Sequence, residues 1–196
     1  MAQGDNGQML ILRGDDVMLR DPHHDDLADY QRWFSVETEW AEWDAPWGEL
    51  PTALAMVDRI RHKLQSGPNG VRTRLEVCLD DGAHVGAVAS YHDKQHFDAL
   101  HLGLDLYEPA YWGRGIGTQA LKLWMAYLFE AHGASELFCA TWSGNERMVR
   151  LAARCEFREL ERRDAAREVR GNSYDALRFV ASRTTFFDAN PGFRSE

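Results

Sequence analysis

Apolar residues recur along the chain with two different periods, and the points where one period gives way to the other mark out the elements. Short apolar runs at Met9 to Leu12 and Val17 to Leu19 flank Gly14-Asp15-Asp16, which predicts a hairpin or a bent first strand behind a loose polar leader, residues 1–8. Leu27, Tyr30 and Phe34 then repeat at helical spacing behind Asp21-Pro22, a cap residue followed by proline, so a first helix is expected to start there. Leu54, Val57, Ile60 and Leu64 give a second helix, closed by Gly67-Pro68-Asn69-Gly70. Between the helices, Trp40, Trp43 and Trp47 surround Pro46 and Gly48, and residues 35–50 read as a loop rich in large aromatics.

A period of two follows. Leu75, Val77 and Leu79 alternate within 74–79, and strands are expected at 85–91 and 100–107, the first two joined by the Asp80-Asp81-Gly82 turn. Leu121, Trp124 and Leu128 share a helix face ending near His132-Gly133. A strand over 136–142 precedes a helix that begins at Asn145 and presents Met148, Leu151, Ala152 and Cys155. Two strands, 157–163 and 174–181, meet across Arg170-Gly171-Asn172. This order predicts one mixed α/β domain over residues 9–183, with a mostly antiparallel central sheet flanked by helices. Residues 184–196 are a C-terminal tail whose Phe186, Phe187 and Phe193 imply either order or a homodimer contact.

Composition narrows the function classes. A formal charge of -9, from 31 acidic and 22 basic residues with no long Lys/Arg run, argues against duplex nucleic acid as a partner. Cys78, Cys139 and Cys155 form no C-x-x-C pair and are odd in number, which fits a reducing compartment. The polar N-terminus and the lack of a long apolar run predict no membrane association and a cytoplasmic location. His23-His24-Asp25-Asp26 invites a metal reading, but adjacent residues diverge in direction and no fourth-ligand spacing follows, so no metal is expected.

Chemistry concentrates between the strand ending near Tyr107 and the helix near Thr118. There Gly113, Gly115 and Gly117 alternate with Trp112, Arg114 and Ile116. Alternating glycines let backbone N–H groups converge at a helix opening, where the helix dipole already favours an anion such as a pyrophosphate. No Lys-Ser/Thr follows the last glycine, and the spacing is not G-x-G-x-x-G, so nucleoside triphosphate and dinucleotide loops are both disfavoured. The remaining alternative on spacing alone is a turn that binds nothing.

The run Tyr111-Trp112-Gly113-Arg114-Gly115-Ile116-Gly117-Thr118 resembles the acetyl-CoA signature Q/R-x-x-G-x-G/A of the GNAT N-acetyltransferase superfamily, with Trp112, Gly115 and Gly117 at its three positions. Trp in place of Gln or Arg resembles the branch of ribosomal-protein alanine acetyltransferases. Asn145 to Arg150 followed by Cys155-Glu156-Phe157 is similar to the helix that in this family ends in Gly-Phe, with Glu156 replacing the glycine. The resemblance implies a GNAT-like fold and transfer of an acetyl group from acetyl-CoA to a primary amine, on a small molecule, an amino acid or a protein N-terminus. The amine attacks directly in a ternary complex. The residues it implies for the cofactor are Leu104, Leu106, Trp112, Gly113, Arg114, Gly115, Ile116, Gly117, Thr118, Asn145 and Arg147, with the Asp105 N–H on the acetyl carbonyl.

Counting eleven residues back from Trp112, where relatives often carry a Glu base, reaches His101, a base by its ordinary pKa near neutrality. His101 and Asp105 share the strand face opposite Leu100, Leu102, Leu104 and Leu106. The Tyr that protonates the thiolate in many relatives falls at Ala152, which leaves Tyr174, His92, Ser143 or a water. Asp44, with Glu42, is a candidate holder of a cationic amine, and Trp40, Trp43 and Trp47 either wall that amine or plug the helix pair onto the sheet. The absence of the usual Tyr and Glu also admits a second reading, a non-catalytic acyl-CoA sensor.

Overall fold

A computed structural model describes residues 9–67, 70–93 and 96–194; the expected leader and Pro68-Asn69 lie outside the described residues. The first hairpin is β1 (Ile11–Arg13) with β2 (Val17–Arg20), and helix α1 (Asp26–Trp33) and helix α2 (Ala53–Ser66) follow. The meander comprises β3 (Arg74–Leu79), β4 (His84–Asp93) and β5 (His96–Leu106). Helix α3 (Ile116–Ala131), β6 (Glu136–Trp142), α4 (Glu146–Arg154), β7 (Arg158–Val169), β8 (Asn172–Ser182) and α5 (Arg183–Ala189) complete the chain. All the strands join one sheet in the order β1-β2-β3-β4-β5-β6-β8-β7, antiparallel throughout except where β5 lies parallel to β6. The mixed, mostly antiparallel fold expected from the period switches is therefore present.

Each face of the sheet has its own core. Alternation sends Leu75, Val77, Leu100 and Leu102 to one face, where they pack on Leu121, Trp124, Met125 and Leu128 of α3. The other face carries Ala87 and Tyr107 beneath Tyr30, Trp33, Met56, Val57 and Ile60 of α1 and α2. Burying an aliphatic or aromatic side chain is worth about 1.5–3 kcal/mol, so both cores contribute substantially.

Three departures from the sequence reading have local causes. Helix α1 starts at Asp26 and not at Asp21-Pro22: the Asp21 carboxylate instead accepts the Leu10 N–H at 2.8 Å and pairs with Arg72 at 3.2 Å. The packed domain runs past residue 183, and of the two alternatives for the last residues order is the one seen: Phe186 and Phe187 of α5 are buried in the α3 core with Phe193 packed against it. Those side chains therefore supply no reason to invoke a dimer. Strands β7 and β8 run longer than the apolar pattern suggested, because β7 is an exposed, charge-rich edge whose pairing needs no apolar alternation.

Helix α4 begins as expected, with the Asn145 side chain accepting the Met148 N–H at 3.0 Å. At its other end Glu156 takes the left-handed conformation, φ 64°, that a glycine would hold with less strain, and the Phe157 N–H still closes on Ala152 O at 3.0 Å. The helix end keeps its shape without the glycine.

Candidate active site

Parallel pairing of β5 with β6 is confined to His101 opposite Phe138. Past that point a cavity of about 530 Å³ separates the strands, walled by residues 102–106 on one side and by Ala140 and Thr141 on the other. Backbone directions alternate with a period of two, and the Tyr107 N–H donates to Val85 O of β4 at 2.9 Å. The Asp105 amide, two residues earlier in an unbroken register with β4, faces the same way. It therefore points away from the groove, contrary to the expectation that it would meet the acetyl carbonyl. The amides of Leu104 and Leu106 are the ones directed into the groove, and Leu106 O accepts the Trp112 Nε1–H at 2.9 Å.

The glycine loop closes one end of this groove. Gly115 caps α3 in the left-handed region, φ 85°, which turns the chain so that Ile116 and Gly117 open the helix with free amides beside the cavity. Gly117 has a different task. A Cβ there would stand 3.2 Å from Leu104 Cδ2, so its bareness lets α3 approach β5. Gly113 and Thr118 also line the groove, whereas the Ile116 side chain is buried in the core and Arg114 turns outward over the Tyr111 ring, leaving both only their backbone to offer. From α4, Asn145, Arg147, Arg150, Leu151 and Arg154 form the facing wall.

A second cavity, about 560 Å³, lies on the α1/α2 side and meets the groove at Trp40, Asp44 and Asp105, which line both. Trp40 is buried against Phe34 and Tyr107 and also walls the junction. Trp43 is a strap. Its carbonyl accepts from Trp142 Nε1 at 3.0 Å and Asn145 Nδ2 at 2.6 Å, and its ring and that of Trp112 sandwich the Arg147 guanidinium at 4.3 and 4.1 Å. Trp47 lines neither cavity; it lies edge-on to Trp142 and under Arg167.

Asp105 is half-buried at the junction but deep in its wall. Burial, then the neighbouring Asp44 charge, pushes its carboxyl up to about 7, against the opposing pull of Arg74 and the Tyr107 hydroxyl. Asp44 reaches solvent at the cavity rim, and crowding by its loop raises its carboxyl as well. Behind them lies a buried ionic cluster that the sequence pattern did not reveal. Glu76 accepts from Tyr30 Oη at 2.5 Å and pairs with Arg74 and with His84 Nε2 at 3.2 Å, and His84 Nδ1 meets Asp29 at 3.0 Å. Burial opposes the His84 charge, but hydrogen bonds to Asp29 and Glu76 outweigh it and raise the imidazole to about 9. Asp26, Asp29 and His84 come close enough to hold a metal ion, yet both His84 nitrogens already face carboxylates and Arg20 grips Asp26, so the cluster is used as an ion-pair network.

His101 does share a strand face with Asp105, but it is 1% exposed and lines neither cavity. Its ring lies between Tyr91 and Phe138, with Nδ1 3.2 Å from Ala99 O and Nε2 3.4 Å from Arg178 Nε. The three side chains considered as acids in place of the tyrosine absent at Ala152 also lie off the groove: Ser143 Oγ accepts the Asp175 N–H, Tyr174 packs edge-on to Trp142, and His92 is exposed. All three cysteines are buried with thiols pushed up by burial, which makes them structural.

A sheet whose parallel neighbours part beside a glycine-rich helix opening defines a GNAT-type acyltransferase. The chain belongs to the acetyltransferase (GNAT) domain family, which matches residues 16–158. It is an acetyl-CoA dependent acetyltransferase. No curated protein sequence matches it. Among solved structures it is similar to the ribosomal-protein-S5-alanine acetyltransferase of Vibrio fischeri, at 16% identity and TM-score 0.69 over 90% of this chain and 98% of that one. Spermidine N-acetyltransferase from Vibrio cholerae, in complex with CoA and spermine, gives 13% identity and TM-score 0.70 over 89% and 99%. Mycobacterium smegmatis RimJ in complex with CoA-disulfide gives 19% identity and TM-score 0.67 over 93% and 91%.

Proposed function

We propose that this enzyme acetylates a primary amine held at the junction of its two cavities, with the Asp105 carboxylate as general base. The observation that carries this reading is that Asp44 and Asp105 are the two carboxylates lining both the groove and the second cavity. A cationic amine entering from the second cavity meets two acidic side chains, and the one with its pKa raised to about 7 is poised to accept a proton near neutrality. The neutral amine would then attack the thioester carbonyl of acetyl-CoA lying along β5; as the C–N bond forms the C–S bond breaks, and the proton shed by the nitrogen passes, directly or through water, to the departing sulfur, so that CoA leaves as the thiol. Its pyrophosphate rests on the amides at the α3 opening, and the Leu104 N–H stabilises the developing oxyanion. Arg147 and Asn145 hold the Trp43 strap beside the cofactor.

The acceptor is a small molecule or a protein N-terminus, in keeping with relatives named for a ribosomal-protein alanine and for spermidine. Thiol release from acetyl-CoA over a panel of amines and N-terminal peptides tests the proposal, with Asp105→Asn and His101→Asn compared on the best acceptor. Loss of turnover in Asp105→Asn alone supports it. Loss in His101→Asn alone returns the base to His101, and tight CoA binding without turnover on any acceptor favours the acyl-CoA sensor.

A further inference from the structure

The groove carries both signs of charge: Asp44 and Asp105 line it where it meets the second cavity, and Arg147, Arg150 and Arg154 line its α4 wall. The three arginines follow α4 at spacings of three and four residues and so share a helix face. They are not equally available. Arg147 is held between two indole rings, and Arg150 Nη1 donates to Glu146 at 2.9 Å. Arg154 has no carboxylate or hydrogen-bond partner among the described residues. Its position is fixed nonetheless, because the next residue, Cys155, packs its Sγ 3.9 Å from Thr118 O in the first turn of α3, and Leu151 reaches the Gly117 site. Arg154 accordingly lines the groove together with Gly113, Gly115, Gly117 and Thr118 and is exposed to solvent there.

Taking acetyl-CoA as the ligand of this groove, we infer that Arg154, seconded by Arg150, binds the 3′-phosphate of the CoA ribose and sets the enzyme's preference for CoA over 3′-dephospho-CoA. The pyrophosphate is already served by the α3 amides, so further positive charge at the groove mouth matches a further anion. In CoA that anion is the phosphomonoester, a dianion on the ribose adjoining the pyrophosphate, and a guanidinium fork suits its geometry. A last-turn arginine also complements the α4 dipole, but that role stabilises the helix and discriminates between no two ligands.

The test is a double-mutant cycle between protein and ligand: dissociation constants of CoA and 3′-dephospho-CoA for the intact protein, Arg154→Gln and Arg150→Gln/Arg154→Gln, by calorimetry at one fixed salt concentration. The wild type should prefer CoA by about tenfold or more, the size of a charge-assisted hydrogen bond at a partly exposed site. Arg154→Gln should remove most of that preference, and the double variant the rest, with dephospho-CoA binding unchanged throughout. Charge reversal in Arg154→Glu should invert the preference. Equal weakening of both ligands would place Arg154 on the pyrophosphate and overturn the inference, as would a wild type indifferent to the 3′-phosphate or variants indistinguishable from it. Failure of the wild type to bind either ligand would instead overturn the cofactor reading on which the inference rests.

Discussion

The two faces of β5 solve opposite problems with one strand. Its even positions, Leu102, Leu104 and Leu106, send hydrocarbon into the α3 core while their backbone groups point at β6, so the cofactor side of the groove is made of main chain resting on an apolar floor. The odd positions beyond His101 face α1 and α2, where Asp105 and Tyr107 meet Arg74, Glu76, Tyr30 and His84. One side binds with groups every residue possesses. The other depends on side chains whose charges are interlocked. The comparison teaches that binding along β5 and at the α3 opening should be robust to side-chain substitution and sensitive to backbone shape, with the reverse holding on the acceptor side.

The largest expected break falls on the acceptor side. Asp105→Asn keeps the shape and removes the base, so kcat/KM should fall by about 10² to 10⁴, with CoA affinity in calorimetry changed less than about twofold. The complementary break is Gly115→Val, which forces a branched residue into the left-handed cap of α3 at a cost of roughly 1–2 kcal/mol or more and should weaken CoA binding about tenfold. Gly117→Ala should cost less than Gly115→Val, since its Cβ meets only the movable ends of leucine side chains, Leu104 nearest at 3.2 Å. Equal losses in the two would show that the loop's backbone conformation is not what binds.

Smaller effects sharpen the comparison through pH. Asp105 acts when deprotonated and its pKa lies near 7, so kcat/KM should fall as pH drops through about 7. Removing the neighbouring charge in Asp44→Asn should move that limb to lower pH, because a like charge raises a carboxyl pKa. An unmoved limb would separate Asp44 from the base. The smallest effect is on stability. His84, raised to about 9 when folded, contributes stability that is complete below its unfolded pKa near 6.5 and is lost as pH rises through about 9. Glu76 is pushed up by burial, but Arg74 and His84 outweigh this and hold it at about 2, so its contribution is present above about 4.5 and lost as pH falls through about 2. Asp105, raised to about 7, works in the opposite sense and loses stability as pH rises from about 4 through about 7, so thermal melts should show a plateau between about 4.5 and 6.5 only once Asp105→Asn has removed that carboxyl, and His84→Asn should flatten the alkaline decline.

Much of the fold was legible because periodicity is local: the alternation over Leu75 to Leu79 and Leu100 to Leu106, and the helical repeat of Leu121, Trp124 and Leu128, each name an element without reference to the rest of the chain. The glycine loop was legible for the same reason, since φ values and helix openings are properties of a few adjacent residues. The start of α1 was not, because Asp21 followed by proline has the local form of a cap, and only a distant partner, Arg72, takes its carboxylate elsewhere.

The acceptor side was harder still. Arg74, Glu76 and His84 occupy strand positions where a charge reads as solvent-facing, and only their mutual pairing across α1 shows that they are buried. Counting from the signature picked His101 as the base; the packing of Tyr91 and Phe138 around it and the meeting of the two cavities at Asp105 are what turn attention two turns of the pleat further along. Sequence by itself determined the elements, the core faces and the glycine loop that opens α3, all written in short-range spacing. Tertiary structure alone decided which carboxylates stand together and which amides face the groove, because burial, mutual repulsion and strand register are relations between residues far apart in the chain.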